Sequence, residues 1–236
     1  MNLPRHEFTL IIQGQCTEEC LDLQLKNYKN YNIIYSLWQD SQFNIPESDS
    51  VKVIKSPLPK ATGHQNFFLQ VISTSIALER VQTQFCIKMR ADEFIGNLDQ
   101  VIHNVVLKPD LLHTLNVFFR AFNHYAFHCS DHLIAGKTKN LKKMFVPCYD
   151  KIYHSNFDPN VYSVFPEINL TRTYLETREN QSIEGRRELM KQYFNIIDVN
   201  SLKPYIISSN KAYRGIKFRD NFDPVRYQSI NDLDNY

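Results

Sequence analysis

The pattern of apolar and polar positions divides the N-terminal part of the chain into short β-like runs separated by helical stretches. FTLII (8–12) is rich in β-branched residues and stops at Gln13 and Gly14, which predicts a buried strand ending in a turn. Thr17 before Glu18 and Glu19 reads as a helix start with acids in its first turn, and Leu21, Leu25 and Tyr28 follow at helical spacing. YNIIYSLW, ending at Gln39 and Asp40, predicts a second strand; SVKVIKS, closed by Pro57 and Pro59, predicts a third. From Asn66 an amphipathic helix carries Phe68, Val71, Ile72, Ser75 and Ile76 on its apolar side and leads into the strand TQFCIKMR.

This β-α-β-β-α-β alternation predicts an α/β fold, a mostly parallel sheet with helices on its faces. Ligands of such sheets lie in a crevice at the carboxyl ends of the strands. Here those ends carry Gln13 and Gly14, Gln39 and Asp40, and Arg90, Ala91, Asp92 and Glu93, each set following an apolar run.

Farther on, VFFRA (117–121) and YAFHC (125–129) read as strands joined near Asn123. SDHLIAGKTKNLKKMF predicts a loop and then a short helix with Leu141, Met144 and Phe145 on its apolar side. Pro166 and Glu167 open another helix, in which Ile168, Thr171 and Tyr174 share a face. The tail, about 221–236, is polar and loose in character. With no repeat and no linker, the chain reads as a single domain over 1–236.

Composition narrows the classes. At 43% hydrophobic and 13% aromatic residues, the chain can bury a sizeable core. A net charge of +2 provides no electrostatic footprint for nucleic acid. No apolar run reaches membrane-spanning length, and the opening MNLPRHEFTLII reads as a first strand rather than a signal peptide. Five widely spaced cysteines, an odd number, favour reduced thiols and a cytoplasmic setting; the abundance of Asn, Lys, Ile and Tyr fits an AT-rich bacterial or viral genome. The sequons at Asn169 and Asn180 are read as chance.

Three motifs fail on their own terms. AGKT (135–138) lacks the glycine a phosphate loop requires, because Asp131 stands there; a glycine turn before a Thr-started helix is the simpler reading. His124, His128 and His132 recur every four residues, but in a strand such residues lie roughly 13 Å apart, too far for one zinc ion. No Gly-x-Ser-x-Gly elbow marks a hydrolase. The segment KMRADEF is different. Lys88 and Arg90 alternate with Met89 and Ala91, so both cations share a side of the strand. Either the segment sheds its charge into solvent, or Asp92 holds a divalent cation while Lys88 and Arg90 bind phosphate.

TLIIQGQ, NIIYSLWQD, NFFLQVISTSIAL, FCIKMRADE, FHCSDHLIAGKTKNLKKMF and PEINLTRTYLE, in consistent order over 7–176, resemble the WavE family of lipopolysaccharide-synthesis proteins, glycosyltransferases of the GT-A type. The resemblance implies a GT-A-like, Rossmann-like sheet with a donor-binding half over about 1–100 and a smaller acceptor-side region over about 101–220. It implies transfer of a sugar from a nucleotide-diphosphate donor to a glycan acceptor, with a divalent cation, Mn or Mg. Carried over by position, Gln13, Gly14 and Asp40 lie around base and ribose, Gln70 and Thr74 face the diphosphate, and Asp92 binds the metal. Lys88, Arg90, Lys211 and Arg214 become phosphate contacts, the last two closing over the donor. Arg90 occupies the first position of the family's Asp-x-Asp motif, which leaves the metal one carboxylate fewer. If the reaction inverts the anomeric centre, Asp131 and Glu167 compete as the general base for the acceptor hydroxyl. A nucleotidyltransferase of similar α/β type and a non-catalytic glycan-binding protein are the alternatives.

Overall fold

The computed structural model describes residues 4–63, 66–117, 128–154, 166–176 and 182–207. Its centre is a seven-stranded sheet in the order β3-β2-β1-β4-β7-β6-β8. The strands are β1 (Phe8–Gln13), β2 (Asn32–Trp38), β3 (Val51–Ser56), β4 (Phe85–Arg90), β6 (Leu112–Leu115), β7 (Leu133–Lys137) and β8 (Phe194–Ile197). Within this sheet, among the described residues, β7 alone runs against its neighbours and the other pairings are parallel. A second sheet pairs β5 (Glu93–Ile95) with β9 (Tyr205–Ile207).

Alternation along the strands divides the core into two layers. Phe8, Leu10 and Ile12 join Ile87 and Met89 on the face covered by α1 (Glu18–Asn27) and α3 (Leu98–Leu107). Ile11 and Cys86 join the face covered by α2 (Phe67–Arg80), α4 (Thr138–His154), α5 (Pro166–Leu175) and α6 (Ile183–Tyr193). Because helices cover both faces, β1 and most of β2 and β4 are buried throughout, so they read as continuous apolar runs.

The chain runs outward from β1 through β2 to β3, then returns by α2 to lay β4 on the other side of β1. The strand order therefore reverses between β1 and β4, which is where such sheets open a crevice. Register sets Gln13 beside both Ser36 and Arg90, so the ends of three strands meet at one level.

The mostly parallel α/β architecture expected from the sequence is the one observed. The region after Asp92 differs in detail. LIAGK, read as loop and glycine turn, is β7, and α4 is 17 residues long rather than short. Three apolar residues gave too short a run to mark a strand, yet β7 is central and buried between β4 and β6. The helix opened by Pro166 is α5, with Ile168, Thr171 and Tyr174 all buried. The proposed strands at 117–121 and 125–129 lie almost wholly outside the described residues, as do His124, Lys211, Arg214 and the tail. All five cysteines are free and buried. Among the described residues no helix is long and apolar enough to cross a membrane.

Candidate functional site

A cavity of about 540 Å³ opens at the reversal point. Its wall includes Gln13, Gly14, Asp40, Gln70, Arg90, Asp92 and Asp131, seven residues singled out in the sequence, together with Trp38, Phe43 and Asn66, which were not. Amides, carboxylates, one guanidinium and aromatic rings make a wall able to accept a ligand with a ring, hydroxyls and phosphate.

The wall is built from locked strand ends. Ser36 Oγ donates to the Ser73 carbonyl (2.8 Å), and Ser73 Oγ donates to Gln13 Oε1 (2.7 Å), tying α2 to β1 and β2. Gly14 turns the chain with φ +101°, a conformation that a side chain strains, and its N–H donates to the Ser36 carbonyl (3.0 Å). Replacing Gly14 by alanine should cost about 1–3 kcal/mol by urea unfolding, through backbone strain alone, because no atom lies within 4 Å of the added Cβ. On the other side, Gln24 in α1 donates to the carbonyls of Ala91 (3.3 Å) and Glu93 (2.7 Å), fixing the bend that follows β4.

That bend gathers charge. Arg90 forks onto Asp92, Nε to Oδ1 at 2.9 Å and Nη2 to Oδ2 at 2.8 Å, and Nε also lies 3.0 Å from Glu93 Oε1. Glu93 is fully buried and takes two further partners: His132 Nδ1 on Oε1 (2.5 Å) and the Tyr205 hydroxyl on Oε2 (2.7 Å). Gln70 Nε2 donates to Asp131 Oδ2 (2.5 Å), and Thr114 Oγ1 donates to the Ser130 carbonyl (2.5 Å), so the Ser-Asp-His loop is held from two sides.

Burial works to raise the Asp131 pKa, but the positive charges of Lys88, His132, Arg90 and His128 outweigh it and hold the carboxyl at about 2. Burial favours neutral His132, yet Glu93 outweighs it and raises the imidazole, with Arg90 opposing and Asp131 assisting. A raised folded-state pKa contributes stability that is complete below the ordinary 6.5 and is lost as pH rises through the folded value. The stability gap between the native chain and His132→Gln should therefore narrow from mildly acidic to alkaline pH in urea titrations. A gap independent of pH would contradict the charged pair.

The sequence-derived residues outside this wall have clear locations. Lys88 is fully buried on the same side of β4 as Arg90, one turn of the pleat deeper, and donates to the Asp131 carbonyl; it supports the loop rather than reaching a phosphate. Thr74 is buried inside α2 and does not line the cavity. Glu167 at the start of α5 faces His128 (3.4 Å) and is likewise absent from the wall.

The divalent cation implied by the resemblance meets a poor donor set. Both oxygens of Asp92 accept from Arg90, and among the described residues no three His, Cys, Asp or Glu side chains converge as ligands. Among the described residues, the side chains present do not fit a protein-held metal centre.

No family model matches the chain, so the WavE resemblance rests on the quoted segments alone, and no curated protein matches it. Among solved structures, HddC from Yersinia pseudotuberculosis aligns over 56% of this chain and 77% of its own, with 13% identity and a TM-score of 0.37. The structure of HddC complexed with GMP-PN gives the same values. The glycosyltransferase GlyE of Streptococcus pneumoniae TIGR4 aligns over 75% of this chain and 44% of its own, with 10% identity and a TM-score of 0.41. Such likeness concerns parts of the folds and carries no argument about what the cavity binds.

Proposed function

We propose that the chain is a nucleotide-sugar-dependent glycosyltransferase, with the donor in the cavity between β1, β2 and β4 and a glycan as acceptor. The observation that carries this reading is the meeting of Gln13, Gly14, Asp40, Arg90, Asp92 and Asp131 at the strand-order reversal. Asp40 and Gln13 face base and ribose, Trp38 and Phe43 supply apolar and aromatic surface, and Arg90 faces the diphosphate. Asp131 is the carboxylate placed to accept the proton, since it lines the cavity and is ionised at neutral pH; held at about 2 it is a weak base, so its position rather than its basicity carries the step.

In the transfer, the acceptor hydroxyl oxygen bonds to the anomeric carbon as the bond from that carbon to the diphosphate oxygen breaks. The hydroxyl proton passes to Asp131, and the electron pair leaves with the nucleoside diphosphate, whose charge Arg90 stabilises. Incubating the full chain with single nucleotide sugars and a glycan acceptor tests this. Free nucleoside diphosphate supports sugar transfer. Pyrophosphate points to nucleotidyl transfer instead, and binding without turnover to a glycan-binding protein.

A further inference from the structure

On the reading of the cavity as a nucleoside diphosphate site, we propose that Arg90 is itself the cation of that site, so that the diphosphate is held by a guanidinium and not through a divalent metal. Four observations converge on this. Arg90 stands at the carboxyl end of β4, opposite Gln13, at the strand-order reversal. Its side chain is 35% exposed and lines the cavity, whereas Lys88 beneath it is sealed. Nε and Nη2 face carboxylates, while Nη1 has no carboxylate partner among the described residues and remains for a phosphate oxygen. Finally, both Asp92 oxygens already accept from the guanidinium, so the carboxylate's charge is spent on Arg90 before any metal reaches it.

The guanidinium is also fixed before any ligand arrives. Glu93 behind it is buried and itself held by His132 and Tyr205, which leaves little reorganisation for binding. Among the described residues no three His, Cys, Asp or Glu side chains converge, so a divalent ion would have to draw most of its ligands from the diphosphate and water.

Calorimetric titration of the full chain with UDP, GDP, CDP, ADP and dTDP, in EDTA and in millimolar Mn²⁺, tests the proposal. The diphosphate that binds should do so in EDTA, with an affinity within about threefold of that in Mn²⁺. Arg90→Ala should weaken binding in EDTA by about 10- to 100-fold. Because that change strips Asp92 and Glu93 of their cation, Mn²⁺ should raise the melting temperature of Arg90→Ala and leave that of the native chain unchanged. If Arg90→Ala does not fold, Arg90→Lys keeps the charge without the fork and should bind more weakly, still without a metal requirement. Binding that requires Mn²⁺, or that survives loss of Arg90 unchanged, overturns the proposal while leaving the donor site intact. Binding of none of these diphosphates in either buffer removes the donor reading itself, and the proposal with it.

Discussion

Glu93→Ala should destabilise the chain by about 3–5 kcal/mol in denaturant titrations, the largest stability loss expected from any single change near the cavity. The carboxylate is fully buried, and removing it strips three partners at once: the Arg90 guanidinium, His132 and the Tyr205 hydroxyl. Arg90 keeps its fork on Asp92, but His132 and the Tyr205 hydroxyl are left buried without the carboxylate that held them, which costs more than the net worth of the bonds removed. Two elements depend on this hub, because Tyr205 begins β9 and Glu93 begins β5, and among the described residues those strands pair with each other alone. Glu93→Gln keeps the volume and can still accept from Tyr205, so its effect should be smaller. A loss for Glu93→Ala below about 1 kcal/mol, the size seen for surface positions, would contradict the hub.

Asp131→Asn should lower kcat by about 10²- to 10⁴-fold while leaving nucleoside diphosphate affinity nearly unchanged. Asparagine keeps the shape and can still accept from Gln70, so the loop should hold; Lys88 keeps the Asp131 main-chain carbonyl as its acceptor. What is lost is the proposed proton acceptor. With the carboxyl held at about 2, Asp131 stays ionised across physiological pH, so it should add no acid limb to the pH–rate profile above about pH 4. Glu167→Gln distinguishes the two carboxylates. Glu167 stands beside His128 and outside the wall, so its change should affect turnover less than Asp131→Asn. The reverse ranking would move the base to α5.

Much of the N-terminal part of the fold was legible because burial writes itself into sequence. β1, β2 and β4 are covered on both faces and appear as apolar runs that stop at polar residues, and those stops became the cavity wall. α3 is equally legible in principle, since Leu98, Val101, Ile102 and Val105 keep helical spacing and are all buried, although no helix is among the elements expected there. The short strands β5 and β9 could not be seen, because three residues carry no period. The charged hub was hidden for a different reason. Glu93 meets His132 across 39 positions and Tyr205 across 112, and nothing local in either segment announces the other. Burial of Lys88 was hidden too: alternation placed it on the same side as Arg90, but only the packing of α2 and α4 decides that one is sealed and the other open.

The most direct test of the donor site is a crystal structure of the full chain with the nucleoside diphosphate that binds it. The account predicts the diphosphate against Arg90, with base and ribose toward Gln13, Asp40 and Trp38 and the position of the transferred sugar facing Asp131. A diphosphate seated elsewhere on the chain, with this cavity empty, would contradict it.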